Sequence, residues 1–162
     1  MDLAWLFPWL LFLHVLGAIV AFGPTFAFSI VGAMGGAEPQ HANFATRVSH
    51  AITSRRVLPV GITMPITGLA IIAVRGINPF DRPFWWLALA IVLYLIAYGY
   101  GFFVQRHLVE RIVQMTSSPP PPGASGPPPE LMALIRRVQR GGIGMGLLIV
   151  TIVFLMVVKP QI

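Results

Sequence analysis

The segment FPWLLFLHVLGAIVAFGPTFAFSIV, residues 7–31, contains no charged residue. An α-helix needs about 20 apolar residues to cross the ~30 Å hydrocarbon core of a bilayer, so this segment is long enough to span a membrane. Three segments of similar character follow, at residues 57–74, 85–104 and 143–158. The sequence therefore predicts an all-α membrane protein, a bundle of four transmembrane helices that forms a single domain over residues 1–162.

The composition agrees with a chain that is largely surrounded by lipid. Hydrophobic residues make up 56% of the sequence and charged residues 10%, whereas soluble domains have about 25% charged residues. The net charge of +6 could attract nucleic acid, but eight of the eleven Lys and Arg residues flank spans, where anionic headgroups are the expected partners. We therefore expect contact with a lipid bilayer and no nucleic acid. The absence of cysteine excludes disulfides and thiolate metal sites.

The basic residues are divided unevenly between the two sides of the predicted bundle. One side has Arg75, Arg82 and Lys159. The other side has the remaining eight: Arg47, Arg55, Arg56, Arg106, Arg111, Arg136, Arg137 and Arg140. Because cytoplasmic loops are enriched in Lys and Arg, the first and third loops are predicted to be cytoplasmic, and the N and C termini to lie outside.

The two predicted cytoplasmic loops differ in character. Residues 37–56 carry apolar side chains at helical spacing, which predicts a short interfacial helix on the membrane surface. Residues 116–129 are rich in proline, which removes backbone donors and favours an extended chain, so this segment is predicted to be a tether. Residues 131–140 predict a second interfacial helix, joined to span four by a bend at Gly141 and Gly142.

Glycine pairs with a four-residue separation occur near the ends of spans one and four. They are Gly32 with Gly36, and Gly142 with Gly146. Small residues at this separation let two helix backbones approach closely in a membrane, so these glycines are predicted to lie at helix packing contacts. Such contacts suit a homo-oligomer or a larger membrane protein complex.

Proline residues interrupt the first two spans. Pro24, Pro59 and Pro65 lack a backbone N–H, so they are expected to bend their helices and free carbonyl groups that neighbouring helices, hydroxyl groups or water must satisfy. Broken helices occur at the substrate sites of transporters. No Asp, Glu, Lys or Arg lies deep inside a span, which argues against ion-coupled transport by this chain alone.

A few polar residues inside the spans define the candidate site. At 100° per residue, His14 lies on a small-residue face of span one, and Tyr94 and Tyr98 share a face of span three. A rise of ~1.5 Å per residue places His14 about 7 Å, Thr67 about 10 Å and Tyr94 about 12 Å below the outer interface. We therefore predict that these residues meet in the outer half of the bundle.

Two interpretations of this candidate site are open. Polar groups in hydrocarbon are costly unless they are paired, so His14 either hydrogen-bonds a neighbouring helix or binds a small molecule or haem. A second histidine at that depth is missing, so a methionine would have to supply the other axial ligand of a haem. No metal site is expected. No serine, histidine and acid combination suggests hydrolysis, so no catalytic residue is assigned and an enzyme is not the favoured interpretation.

Two segments resemble a known family. LHVLGAIVAFGPTFAFSI, residues 13–30, and PVGITMPITGLAII, residues 59–72, resemble the bacterial predicted integral membrane protein family called domain of unknown function 2269. This resemblance implies a small multi-pass protein of a bacterial inner membrane and no particular activity. The chain is more distantly similar to the four-span protoporphyrinogen oxidase family and to copper-resistance membrane proteins. In that oxidase family an arginine follows the first-span histidine within the helix, whereas here the first arginine is Arg47, beyond the span.

Three functions are consistent with these features. The favoured one is a non-catalytic packing or accessory subunit of a membrane assembly. The first alternative is a membrane protein that binds haem or a small molecule at the His14-centred site, with redox activity. The second alternative is a transporter or channel component, for which the proline-interrupted spans are the only support.

Overall fold

The computed structural model describes residues 3–118 and 126–160. Four helices in these residues are long and apolar enough to cross a membrane: Ala4–Ala37, Pro39–Arg75, Arg82–Met115 and Pro129–Val158. The described residues contain no β-strand. The predicted all-α fold with four transmembrane helices is therefore confirmed.

Six α-helical segments make up these four long helices. They are α1 (Phe7–Ala37), α2 (Ala42–Ile52), α3 (Leu58–Arg75), α4 (Trp85–Tyr100), α5 (Arg106–Met115) and α6 (Pro129–Val158). A π-helical turn at Thr53–Val57 joins α2 to α3, and a second one at Gly101–Gln105 joins α4 to α5. Because a π-helical turn continues the helix with i→i+5 hydrogen bonds, α2 and α3 form one continuous helix, and so do α4 and α5.

The local sequence explains where the helices begin and end. Pro8 and Pro129 lie in the first turns of α1 and α6, where a missing N–H leaves no helical hydrogen bond unmade. Helix α3 is followed by Gly76, whose φ of 60° is in the left-handed region that glycine adopts without strain. These residues determine helix ends that the hydropathy of the sequence does not locate.

The predicted interfacial segments are helical and extend the spans. Helix α2 continues into the second span, and α6 runs without interruption from Pro129 to Val158. Gly141 and Gly142, where a bend between two helices was expected, therefore lie inside a single helix. With 30 residues at about 1.5 Å each, α6 is about 45 Å long, so part of it projects beyond the hydrocarbon core.

The predicted tether, residues 116–129, falls partly outside the described residues. Helix α5 ends at Met115, residues 116–118 form a turn and bend, and α6 begins at Pro129. Residues 119–125 lie outside the described part of the chain, so the tether stays a prediction.

The helices pack as two antiparallel pairs. Helix α1 lies against α2 and α3, and α6 lies against α4 and α5. One apolar cluster between α4 and α6 comprises Trp86, Leu87, Ala90, Ile152 and Leu155. A second cluster, between α5 and the start of α6, comprises Leu108, Ile112, Leu131 and Leu134. The apolar stripe at the start of α6 is thus covered by α5.

Polar side chains join α2 to α5 and so connect the two helix pairs. Asn43 Nδ2 donates a hydrogen bond to Thr116 Oγ1 at 2.9 Å. His50 Nε2 lies 3.3 Å from Glu110 Oε1, which also accepts a hydrogen bond from Arg106 Nε at 2.9 Å. These contacts lie at the end of the bundle where most of the basic residues are found.

Candidate functional site

His14 on α1 and Thr67 on α3 are in direct contact. His14 Nδ1 lies 2.8 Å from Thr67 Oγ1, which in turn lies 2.9 Å from the carbonyl oxygen of Thr63. The threonine hydroxyl has a single hydrogen, and threonines within helices commonly donate it to the carbonyl four residues earlier. On this assignment Thr67 accepts from His14, so the neutral imidazole carries its proton on Nδ1.

Glycine makes room for this contact. A Cβ atom at Gly68 would lie 3.3 Å from Cε1 of His14, and one at Gly17 would lie 3.0 Å from Sδ of Met64. The second distance is shorter than ordinary van der Waals contact, so α1 and α3 approach closely because these positions lack side chains. The close packing of α1 against α3 thereby allows His14 and Thr67 to come within hydrogen-bond distance.

Tyr94 on α4 has a different partner from the one expected. Its hydroxyl donates a hydrogen bond of 2.5 Å to the carbonyl oxygen of Gly61. In an α-helix that oxygen would accept from the residue four positions later, which is Pro65 and has no N–H. The tyrosine therefore supplies the hydrogen bond that the proline cannot. Gly61 is six residues from Thr67, about 9 Å along the helix axis, so Tyr94 is not placed with His14.

Tyr98, one turn after Tyr94, makes a parallel contact to α3. Its hydroxyl donates to the carbonyl oxygen of Leu58 at 3.0 Å. The rings of Tyr94 and Tyr98 are stacked, with centroids 5.9 Å apart. A Cβ atom at Gly61 would lie only 2.7 Å from Cε2 of Tyr98, so glycine is the residue that lets the two tyrosines reach the backbone of α3.

A small cavity lies between α1, α3, α4 and α6. Its volume is about 30 Å³. Residues such as Phe22, Tyr94, Tyr98 and Met145 line it, whereas His14 and Thr67 do not. Pockets for small molecules typically have volumes of roughly 300–1,000 Å³. This cavity is therefore too small for a porphyrin, and the described contacts of His14 place it outside the cavity.

The geometry divides the predicted site into two structural contacts. His14 and Thr67 join α1 to α3, and the two tyrosines join α3 to α4. Nothing in the described part of the chain brings these contacts around one common ligand position. Each polar group instead pairs with a neighbouring helix, which is an arrangement that holds spans together in a membrane.

The predicted packing glycines are not the ones that make contacts within the chain. A Cβ atom at Gly32, Gly36 or Gly146 would meet nothing within 4 Å among the described residues, and one at Gly142 would meet only Gln105 Nε2, at 4.0 Å. Packing through these four glycines stays a prediction, and it requires a partner outside this bundle.

A comparison with protein families covers almost the whole chain. Residues 8–160 match the model of the family described as "Predicted integral membrane protein (DUF2269)". The chain belongs to the DUF2269 family. The match confirms the resemblance seen in the first two spans. Among curated proteins and solved structures, none matches this DUF2269 protein.

Sequence reasoning missed Gly61 and Gly68, the residues that admit the tyrosine and histidine rings. The available signal was the four-residue spacing between Gly61 and Pro65. That spacing identifies which carbonyl loses its helical donor and therefore which backbone oxygen needs a hydroxyl from another span. The glycine beside Thr67 would have been a weaker signal, since glycine is frequent in membrane helices.

Proposed function

We propose that this DUF2269 protein is a non-catalytic membrane subunit that packs against other membrane helices, and in the first instance against a second copy of itself. The observation that carries this proposal is the open environment of Gly32 and Gly36 on α1 and of Gly146 on α6. Glycine inside a helix is less favourable than alanine by about 1 kcal/mol, and close approach of a neighbour is its usual compensation in membranes.

The pairing of polar groups inside the bundle supports the same proposal. His14, Tyr94 and Tyr98 all hydrogen-bond to α3. The carbonyl that Pro65 leaves without a helical donor is bonded by Tyr94, so it is not open to a transported ion. Together with the cavity of about 30 Å³, these contacts favour packing over transport and over binding of haem or a small molecule at the His14-centred site.

We also propose an orientation and a location. The end of the bundle that holds the α2–α5 contacts carries eight of the eleven basic residues, which favours placing it in the cytoplasm and both termini outside. A multi-pass protein with this charge distribution suits the inner membrane of a bacterial cell. The four spans then form one domain, with residues 116–129 as a cytoplasmic tether.

The oligomeric state of the purified protein tests the packing proposal. Light scattering after size-exclusion chromatography in a mild detergent should give a protein mass that is a multiple of the 17.7 kDa chain. Replacing Gly32 and Gly36 together with leucine should shift the protein toward the monomer, because two side chains would block the approach of a second helix.

Gly23→Leu is the matched control, because Gly23 is an exposed glycine of the same helix but lies nine residues before Gly32, which places it on the opposite face of α1. It should leave the oligomeric mass unchanged. A wild-type protein that is monomeric at every concentration, in detergent and when cross-linked in membranes, would contradict self-assembly. So would an oligomer that survives the leucine substitutions unchanged.

A further inference from the structure

A groove lies on the lipid-facing side of the second helix pair, between α4 and α6. Its lining residues are Ile96, Tyr100, Gly141, Gly144, Met145 and Leu148, and its volume is about 340 Å³. Two of the lining residues, Gly141 and Gly144, have no side chain that could extend into the groove. This volume is in the range of roughly 300–1,000 Å³ found for small-molecule sites, in contrast to the interior cavity.

The sequence of α6 places positive charge at one end of this groove. Arg137, Gly141, Gly144 and Leu148 are separated by four, three and four residues, so they form one stripe along the helix. Arg140, one turn before Gly144, flanks the same stripe. Both arginine side chains are exposed, and neither forms an ion pair with any residue in 3–118 or 126–160.

The depth of these arginines matches that of lipid phosphates. Arg140 precedes the apolar segment at residues 143–158 by three residues, about 4.5 Å along the helix. Arg137 lies one turn further from the hydrocarbon core. Side chains at this level lie among the headgroups, where an anionic phosphate is the available partner.

A tyrosine hydroxyl marks the boundary between the charged end and the apolar groove. Tyr100 lines the groove, and its hydroxyl has no hydrogen-bond partner among the described residues. Gln105 lies five residues later, in the π-helical turn. Its Nε2 donates a hydrogen bond to the carbonyl oxygen of Val138 at 2.9 Å, which holds α6 close to Tyr100. A Cβ atom at Gly141 would collide with the Tyr100 hydroxyl. Glycine is therefore required at this point of the groove.

We infer that this groove binds one anionic phospholipid of the surrounding bilayer. An acyl chain lies along Gly144 and Leu148, the glycerol and ester region meets the Tyr100 hydroxyl, and the phosphate lies between Arg137 and Arg140. The lining of this site does not include Gly32, Gly36 or Gly146, the outward glycines on which the proposed assembly rests. Its existence does not depend on that proposal.

The charge of the chain favours a lipid over a second copy of the protein in this groove. A second copy bound through the same groove would bring its own Arg137 and Arg140 to the level of these two arginines, so the contact would place like charges together. The contact proposed through Gly32 and Gly36 lacks this local repulsion, because α1 contains no Lys or Arg. An anionic lipid has the opposite charge and is already present in the membrane.

Retention of defined lipids by the full-length protein tests this inference. The protein in a neutral detergent would be mixed with dioleoylphosphatidylglycerol or with dioleoylphosphatidylcholine, and bound lipids counted by native mass spectrometry. One phosphatidylglycerol molecule should be retained in preference to phosphatidylcholine. Replacing Arg137 and Arg140 together with glutamine should weaken its retention by roughly 30-fold, the effect expected for two arginines at an anionic surface.

Two matched controls separate this site from general lipid contact. Arg55→Gln with Arg56→Gln removes the same charge from the same end of the bundle and should leave retention unchanged. Gly144→Leu should abolish retention by filling the groove, whereas Gly23→Leu on α1 should not. The arginine variants lie outside the hydrocarbon, so they decide the question even if Gly144→Leu does not fold.

Three results would overturn the inference. The first is equal retention of the two lipids, which would mean ordinary annular contact. The second is equal loss in both arginine variants, which would mean a diffuse charge effect. The third is a shift from dimer to monomer in Gly144→Leu with lipid retention unchanged, which would mean that a second copy occupies the groove. A monomeric wild-type protein that still retains phosphatidylglycerol would contradict the assembly proposal alone.

Discussion

The hydroxyl of Tyr94 donates its hydrogen bond, 2.5 Å long, to the carbonyl oxygen of Gly61. That oxygen has no helical donor because the residue four positions later is Pro65. An unpaired backbone carbonyl is costly in a membrane, where water cannot reach it. A proline in one span and a tyrosine in another thus form a complementary pair, although 29 positions separate Tyr94 from Pro65 in the sequence.

Replacing Tyr94 with phenylalanine should lower the free energy of unfolding by about 1 kcal/mol, the size of a hydrogen bond between membrane helices. Pro65→Ala restores an N–H to the helix, so in that background Tyr94→Phe should cost clearly less. Unfolding of the four proteins by sodium dodecyl sulfate in mixed micelles would measure this coupling. Equal costs in both backgrounds would show that Tyr94 does not compensate for the proline.

His14→Leu should also cost about 1 kcal/mol of unfolding free energy, because it removes the partner of Thr67 while keeping similar bulk. Thr67→Val removes the other half of the pair, and the double variant should cost less than the sum of the two single ones. The same unfolding measurement applies. Strictly additive costs would mean that the 2.8 Å contact contributes no free energy of its own.

Gly61→Ala should destabilise the protein by about 1–3 kcal/mol, the usual cost of inserting a methyl group where there is no space. The new Cβ would lie 2.7 Å from the ring of Tyr98. Gly23→Ala, on an open face of α1, is the control and should be neutral or slightly stabilising. If the two variants have the same stability, the tyrosine rings do not pack against α3 as described.

The purified protein should show no Soret absorbance band, whether or not haem is supplied during expression. The interior cavity of about 30 Å³ cannot hold a porphyrin, and His14 does not line it. A spectrum recorded before and after His14→Leu would check this. A Soret band that disappears in the variant would support the haem-binding alternative against the packing proposal.

Cysteine labelling should place the junction between α5 and α6 in the cytoplasm. Cysteine introduced at Ser118, an exposed residue of this cysteine-free chain, should react with an impermeant maleimide only after cell lysis. Cysteine at Phe80, which is 86% exposed at the opposite end of the bundle, should react in intact cells. The reverse pattern of labelling would invert the orientation.

The four spans could be predicted from the sequence because each one is recognised from its own residues alone. A run such as residues 7–31 has the length and composition of a membrane helix whatever it packs against. The helical phase of His14 is local as well, which is why the sequence placed this histidine toward Thr67. Depth counted from the ends of two helices was accurate enough for that pair.

The partner of Tyr94 was not predictable from depth and phase alone. Depth and phase give each residue's position along the membrane normal and the face of the helix on which it lies. They do not say which of several hydrogen-bond acceptors a tyrosine hydroxyl will use. The freed carbonyl of Gly61 lies about 9 Å along α3 from Thr67, and Tyr94 bonds to the carbonyl. Residues 37–56 were similarly predicted to form a separate interfacial helix, whereas the structure continues that helix into the second span through the π-helical turn at Thr53–Val57.

The π-helical turn at Gly101–Gln105 has a consequence for how this chain tolerates insertions and deletions. The turn holds about one residue more than an α-helical turn, so deleting one of its residues would convert it to ordinary helix and leave the direction of everything after it nearly unchanged. Leu108 and Ile112 would still face Leu131 and Leu134, and that cluster would be kept. Deleting a residue from the α-helical part of α4 would instead rotate one part of the helix against the other by about 100°. The π-helical turn is therefore the point where this helix can lose one residue while both of its halves still pack against α6.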